Sequence, residues 1–143
     1  MTDAPGVAVV WFRRDLRLAD HPALAAAVAG ADQVVALFVD DPRLRRSSGA
    51  PRVVFLDACM DALDEGIGGH LVRRPGDPTQ VVVDLAAEVG ATDVYVTEDF
   101  GPYGRSRDDS VAAALEAQGG TLRRVGTPYA VPPGTLHTQA GDP

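Results

Sequence analysis

The sequence contains no lysine and only one cysteine, and each shortage limits the chemistry open to the chain. All 13 basic residues are arginine, a bias that GC-rich coding accounts for more simply than phosphate binding does. Cys59 has no second cysteine to pair with, so no internal disulfide can form, and its helical context predicts a buried apolar side chain. A lone cysteine fits a reducing compartment, and we therefore expect a cytoplasmic protein.

Segments and motifs that define several other classes of protein are also missing. The apolar runs are too short to span a membrane and no basic leader precedes the first of them, so we expect no membrane partner. Neither a glycine-rich dinucleotide loop nor a P-loop follows the first apolar run. No Ser or Cys nucleophile stands in an elbow motif. We therefore expect no catalytic residue within this chain.

Binding of metal or nucleic acid by the chain alone is unfavourable for separate reasons. His21, His70 and His137 are far apart and lack the spacing of metal ligands. The formal net charge is −7, and an acidic surface repels the phosphate backbone that supplies most nucleic-acid affinity. We expect no metal site, and no binding of nucleic acid by this segment on its own.

What the sequence does contain is a regular alternation of short apolar strands and helical segments. Such alternation is typical of an α/β fold, in which helices cover both faces of a parallel sheet. We predict a Rossmann-like, five-stranded parallel sheet with the flavodoxin-like strand order 3-2-1-4-5, which makes the first strand central. The predicted strands cover 7–12, 33–39, 70–73, 93–97 and 121–125.

The helices are predicted from apolar spacing and from the residues at their ends. Asp20 is the predicted N-cap of the first helix, with Pro22 in its first turn. Residues 43–49 are predicted to form a basic loop, and the proline-rich residues 127–143 a tail or linker. The predicted helices cover 21–29, 51–64, 78–89 and 105–118.

Charged and aromatic residues lie at the ends of three strands that the predicted order places side by side. The carboxyl ends of parallel strands share one edge of a sheet, and ligands bind in the crevice beyond that edge. Arginine and carboxylate groups around aromatic walls suit a planar, polar-edged ligand with partial negative charge. The candidate binding residues are Arg13, Phe38, Asp41, Arg52, Asp99 and Tyr103.

A structural interpretation of these charged residues stays open. Arginines and aspartates at strand ends often pair with one another and only hold loops in place. We favour that interpretation for Arg14, Asp15 and Arg17, which crowd into one short segment. For Asp99, in a longer polar loop, we favour a binding role.

The segment that joins the first strand to the first helix resembles a family signature. Its run Trp-Phe-Arg-Arg-Asp-Leu-Arg-Leu over 11–18, followed by Asp20-x-Pro22-Ala23-Leu24, is similar to the amino-terminal signature of the DNA photolyase and cryptochrome family. His21 stands where that family usually has asparagine. Further landmarks follow in the expected order: Asp41-Pro42, Arg52 with Phe55-Leu56, and the runs over 74–78 and 102–108.

The resemblance implies a domain organisation and an activity. Residues 1–126 would form the family's amino-terminal α/β domain, and 127–143 would begin an interdomain linker. The family's larger helical domain, which holds FAD, would be absent from these residues and would be this domain's own partner. The implied function, for the full-length protein only, is light-dependent repair of cyclobutane pyrimidine dimers in damaged DNA by a deoxyribodipyrimidine photolyase, a carbon–carbon lyase. Two alternatives stay open: a cryptochrome-type blue-light photoreceptor and a stand-alone nucleotide-binding α/β domain.

The resemblance also implies that this domain holds an antenna pigment, which passes excitation to FAD. The folate type of antenna site uses an Asn-Glu pair that would fall at Tyr103 and Gly104, and this chain has neither residue. The deazaflavin type uses an Asp-x-x-Pro-Tyr-Gly loop, which matches 99–104, and arginines that fall at Arg13 and Arg52. The resemblance therefore favours 8-hydroxy-deazaflavin over methenyltetrahydrofolate.

Overall fold

Strands and helices alternate along the chain, and the strands pair in parallel because each of the first four is followed by a helical segment that returns the chain to the same edge. The computed structural model describes residues 6–131 and 133. The strands are β1 (Val7–Phe12), β2 (Gln33–Asp40), β3 (Val72–Pro75), β4 (Asp93–Val96) and β5 (Thr121–Arg124). The helices are α1 (Pro22–Gly30), α2 (Pro42–Ser47), α3 (Ala50–Gly66), α4 (Pro78–Val89) and α5 (Pro102–Glu116).

The five strands form one sheet in the order β3-β2-β1-β4-β5. All of its pairings are parallel, so the predicted fold class and strand order are confirmed. β1 is central because its side chains are apolar on both faces, and five of its six residues are buried. β3 and β5, at the two edges, are short and more polar, as edge strands commonly are.

Alternate side chains of β1 enter two separate cores. Val9 and Trp11 lie in a core that the helices α4 and α5 cover. Val10 and Phe12 lie in a core on the opposite face, together with side chains of α1 and α3. The two-residue period of the strand therefore places helices on both faces of the sheet.

The prediction of a basic loop over 43–49 is wrong, because α2 covers most of that segment. The carboxylate of Asp41 caps this helix by accepting a hydrogen bond of 2.8 Å from the Arg43 backbone N–H. Pro42 stands within the first turn, where its missing N–H costs nothing. Asp77 and Pro78 begin α4 in the same way, so the Asp-Pro pair was the overlooked signal.

Two other helix starts also differ from the prediction. The N-cap of α1 is His21 and not Asp20, because His21 Nδ1 accepts the Leu24 backbone N–H at 3.0 Å. α5 begins at Pro102, three residues before the predicted start at 105. Every helix of the described chain has a proline in its first two positions, and this recurring signal marks the starts better than the polar residues do.

Beyond β5 the described chain contains no further helix or strand. Residues 127–131 and 133 are irregular, and the rest of the predicted linker over 127–143 lies outside the described residues, as do residues 1–5. Within the described part of the chain, no helix is both long enough and apolar enough to cross a membrane.

Candidate ligand-binding site

A cavity of about 430 Å³ opens beyond the carboxyl ends of β1, β2 and β4. Its size falls within the range of small-molecule sites, which are typically about 300–1,000 Å³. Trp11 and Phe38 form an apolar wall at the ends of β1 and β2. Val53 and Leu56 of α3 extend this wall. The lining also contains polar side chains, namely those of Arg13, Arg14, Asp40, Asp41, Arg45, Arg52, Asp99, Tyr103 and Arg107.

All six candidate binding residues predicted from the sequence line this one cavity. Arg13 follows β1, and Phe38 and Asp41 lie at the end of β2. Arg52 belongs to the first turn of α3. Asp99 precedes α5 and Tyr103 lies in its first turn. The topology brings together residues that are up to 90 positions apart, because the carboxyl ends of parallel neighbours meet at one edge.

Arg13 is bound to the scaffold and not freely presented to a ligand. Its guanidinium donates to the buried carboxylate of Asp108 and to the backbone oxygen of Thr97. The guanidinium also lies 4.9 Å from the centre of the Trp11 ring. Burial lowers the pKa of Arg13, while Asp108 opposes that shift. Arg13 therefore contributes a fixed positive charge to the floor of the cavity.

Asp41 and Tyr103 link two sides of the cavity. The Tyr103 hydroxyl donates a hydrogen bond to Asp41 Oδ2, while Asp41 Oδ1 caps α2. Burial and the Asp41 carboxylate both raise the pKa of Tyr103, so this hydroxyl stays protonated and remains a donor. The Tyr103 residue is nevertheless 40% exposed, which leaves part of its ring open to solvent.

Arg52 differs from the other arginines of the cavity. Arg13, Arg14, Arg45 and Arg107 each have a carboxylate partner, whereas no ion pair within the described residues involves Arg52. Arg52 is exposed and lines the cavity from the first turn of α3. A guanidinium without a protein carboxylate suits an anionic group of a ligand.

Asp99 is held by its own loop and by two arginines. Its carboxylate accepts a hydrogen bond of 3.0 Å from the Gly101 backbone N–H, and its oxygens lie 3.3 Å from nitrogens of Arg14 and Arg107. Burial alone would raise the pKa of Asp99, but these donors outweigh it and hold the pKa below its usual value. A carboxylate has about four acceptor positions, so Asp99 keeps capacity for a further donor.

Gly104 makes the position of Asp99 possible. A Cβ atom added at Gly104 would lie 2.2 Å from Asp99 Cγ, which is far inside van der Waals contact. The Asp99 carboxylate thus occupies the space that any side chain at position 104 would need. Asp99 and Gly104 are therefore one structural unit.

Trp11 and Arg107 are among the cavity residues that sequence reasoning missed. Trp11 is buried at the end of β1, and its ring centre lies 5.1 Å from the Arg107 guanidinium. Arg107 lies one helical turn after Tyr103 and is 5.8 Å from that ring. The spacing of four residues within α5 places both on the same face, which is the signal that could have identified Arg107.

Asp15 lies outside the cavity lining and belongs to a buried group that we name the Asp15 cluster: Asp15, His21 and Thr97. His21 Nδ1 already accepts from the Leu24 N–H, so its proton lies on Nε2, which is 2.7 Å from Asp15 Oδ2. The Thr97 hydroxyl and the Arg13 backbone N–H also donate to this carboxylate. Burial alone would raise the pKa of Asp15, but these three donors outweigh it and lower the pKa well below its usual value.

The arrangement is suited to binding a small molecule. Within the described residues, no set of three or more His, Cys, Asp or Glu side chains could hold a metal ion. The cavity lining contains one hydroxyl of serine, Ser48, and its Oγ donates to the Leu44 backbone oxygen at 2.9 Å. Apolar walls, an arginine with no carboxylate partner among the described residues, and carboxylate acceptors match a planar ligand with polar edges.

Three comparisons with known proteins give consistent matches. A family model described as DNA photolyase matches residues 8–143. The deoxyribodipyrimidine photo-lyase of Synechococcus sp. is 43% identical over 114 residues, which cover 76% of this chain and 24% of that protein. The chain spans about half or less of the length of the curated relatives it matches.

The solved structures agree with this result. The crystal structure of a bacterial class III photolyase from Agrobacterium tumefaciens matches with a TM-score of 0.88 at 30% identity, over 100% of this chain and 30% of that one. An archaeal photolyase from Sulfolobus tokodaii, solved with two FAD molecules and described as implicating a novel light-harvesting cofactor, matches with a TM-score of 0.81 at 27% identity. That match covers 92% of this chain and 32% of the archaeal one.

Proposed function

This chain belongs to the DNA photolyase family, and from that premise we propose that its cavity holds an antenna pigment, 8-hydroxy-deazaflavin. When bound, such a pigment absorbs light and passes the excitation to a flavin. The proposal rests on the observation that all six candidate residues line one cavity of about 430 Å³. Its apolar walls suit an aromatic ring system, and its arginines and carboxylates suit polar ring edges.

Each nominated residue has a role in this proposal. Phe38 covers the ring with apolar surface, together with neighbouring side chains of α3. Arg52 pairs with the negative charge of the pigment, because a guanidinium stays charged and donates a planar fork. Asp41 and Asp99 accept hydrogen bonds from ring donors. Tyr103 closes one side of the cavity.

The remaining nominated arginine acts at longer range. Arg13 is already paired with Asp108, so its contribution is a fixed charge beneath the site and not a direct ligand contact.

The contact between Gly104 and Asp99 favours the deazaflavin over a folate. The folate type of site needs a glutamate at position 104, and in this chain the Asp99 carboxylate fills that space. FAD is a second candidate, favoured by the Sulfolobus tokodaii photolyase that was solved with two FAD molecules. The three pigments absorb at different wavelengths, so one titration format distinguishes them.

The test is a titration of the chain with 8-hydroxy-deazaflavin, methenyltetrahydrofolate and FAD, followed by visible absorbance. We expect the deazaflavin to bind most tightly. Arg52→Ala should weaken its binding about tenfold, since it removes a charge-assisted hydrogen bond. The matched control is Arg46→Ala, an exposed arginine of the neighbouring helix α2 that does not line the cavity. Equal loss in both variants, or preferential binding of folate, would reject the assignment.

We further propose that the chain acts as the amino-terminal part of a deoxyribodipyrimidine photo-lyase, which repairs pyrimidine dimers in light. The proposal rests on the photolyase relatives and on their greater length, which leaves room for a domain that holds FAD. The chain's own partner would then be that domain, and DNA would be bound only by the longer protein. Purified residues 1–143 should show no dimer repair under blue light. Repair by these residues alone would disprove the proposal that the domain holding FAD is required.

A further inference from the structure

A second, smaller cavity adjoins the main one. It has a volume of about 170 Å³ and shares Pro78, Tyr103 and Arg107 with the lining of the main cavity. Its other lining residues come from the start of α4, from α5 and from α2: Asp77, Thr79, Ser106, Ser110 and Arg43. The two cavities therefore meet at a wall that α4 and α5 form together.

The chemistry of the second cavity is the opposite of that of the main one. Thr79, Ser106 and Ser110 present hydroxyl groups, which both donate and accept hydrogen bonds. No aromatic or aliphatic side chain except Pro78 and the shared Tyr103 contributes to the described lining. A hydrocarbon ring would gain little here, whereas a chain of hydroxyl groups could form hydrogen bonds with these side chains.

The charges of the second cavity are already balanced. Arg43 is paired with Asp77 and lies 3.7 Å from an oxygen of Asp41. Arg107 lies 3.3 Å from Asp99 and 3.1 Å from Asp108. A phosphate would have to compete with these carboxylates for both arginines. A neutral polyol needs no such exchange, because it can donate to the carboxylates and accept from the guanidinium groups.

We propose that this second cavity is a subsite for a neutral polyol chain, namely the ribityl chain of the pigment whose ring occupies the main cavity. The proposal rests on the proposed function, because it assigns the ring to the main cavity. Tyr103 forms part of the shared wall, is 40% exposed and has one side-chain hydrogen bond, to Asp41. Its ring is therefore the part of that wall that can shift to admit a chain.

The test compares two ligands on two proteins. The ligands are 8-hydroxy-deazaflavin with its ribityl chain and the same ring system with a methyl group in place of that chain. The variant is Ser106→Ala/Ser110→Ala, which removes two exposed hydroxyls from α5. Alanine favours a helix, so the variant should fold, and circular dichroism checks this.

We expect the double variant to bind the ribityl ligand about threefold to tenfold more weakly, since each neutral hydrogen bond contributes modestly. Its affinity for the methyl ligand should equal that of the wild type. Ser47→Ala, which removes an exposed hydroxyl of α2 outside both cavities, should change neither affinity.

Two results would overturn the subsite while leaving the ring assignment intact: equal weakening of both ligands, or weakening of neither. A phosphorylated ribityl ligand that binds more tightly than the neutral one would also reject the neutral polyol. Failure of the wild-type chain to bind either ring would reject the proposed function, and the subsite with it.

Discussion

The Asp15 cluster and the cavity rim lie beyond the same edge of the sheet, yet they differ in their exposure to solvent. We define the cavity rim as Arg52 and Tyr103. Asp15 and His21 are only 8% and 5% exposed. The carboxylate of the cluster accepts hydrogen bonds from a hydroxyl and a backbone N–H and lies 2.7 Å from a ring nitrogen of His21. The rim instead combines an exposed arginine with a tyrosine that is 40% exposed.

This difference in exposure distinguishes structural charges from binding charges. A buried carboxylate with several donors stabilises the fold, because no solvent competes for its hydrogen bonds and each donor would be costly to leave unpaired. Charged groups that face a cavity with apolar walls and lack protein partners can exchange water for a ligand. The comparison predicts that mutations in the cluster reduce stability, whereas mutations around the cavity reduce affinity.

The largest effect on stability is expected for Asp15→Ala. It leaves the Thr97 hydroxyl, the His21 Nε2–H and the Arg13 N–H without their acceptor in a buried site. We expect the free energy of unfolding to fall by about 3–5 kcal/mol, measured by urea unfolding with circular dichroism.

The matched control for this measurement is Asp61→Ala. Asp61 lies on the surface of α3, where its side chain is 74% exposed and pairs with Arg73. We expect a loss of at most about 1 kcal/mol from that surface pair. Equal losses for Asp15→Ala and Asp61→Ala would contradict the claim that the Asp15 cluster stabilises the fold more than a surface ion pair does.

A smaller effect on stability is expected from pH, and it again concerns the cluster. The pKa of Asp15 in the folded chain lies below its value in the unfolded chain. Its contribution is therefore fully present above about pH 4 and is lost as the pH falls below that value. Between about pH 5 and about pH 3 we expect wild type to lose about 1 kcal/mol more than Asp15→Asn does.

The pH series uses urea unfolding at each pH for both proteins. Other carboxylates titrate in the same range in both proteins, so only the difference between the two curves reports on Asp15. Parallel curves would mean that Asp15 does not ionise differently on folding.

A small effect on stability is also expected for Asp99→Ala, although its effect on binding should be large. Asp99 holds its loop through one backbone N–H and two weak contacts to arginine, so we expect a loss of about 1 kcal/mol in stability. Affinity for 8-hydroxy-deazaflavin should fall roughly tenfold to a hundredfold, because ring donors lose their acceptor. Unfolding curves and a pigment titration on the same samples separate the two effects.

Gly104→Ala tests the role of Asp99 in a second way, because its Cβ must displace the Asp99 carboxylate. It should weaken pigment binding to a similar extent as Asp99→Ala. The double variant should be no weaker than either single one, since both remove the same contact. Additive losses would show that the two residues act independently.

Most of the fold could be predicted from local patterns in the sequence. The alternation of apolar strands with helices specifies a parallel sheet, and β1 reads as central because its residues are apolar without interruption. The α2 helix was missed because a six-residue helix has too few turns to show a period. The cap of α1 was misassigned to Asp20, whose backbone φ of 50° is left-handed and so differs from the extended backbone of an N-cap.

The candidate site could be predicted in composition but not in its pairings. The sequence placed Arg13 and Asp99 in the same crevice, but it could not show that Arg13 donates to Asp108. It also could not show that Trp11 and Arg107 lie in the wall, since a buried strand-end tryptophan reads as ordinary core.

The sequence alone specifies which elements form, which strand is central and which residue types stand at the carboxyl edge, because these depend on local propensity and on the periods of strands and helices. Only the folded structure shows which charges are neutralised. Arg13 and Asp108 are separated by 95 positions, and Tyr103 and Asp41 by 62. Such pairings depend on how loops and helices pack across the edge of the sheet, and packing between distant segments leaves no periodic trace along the chain.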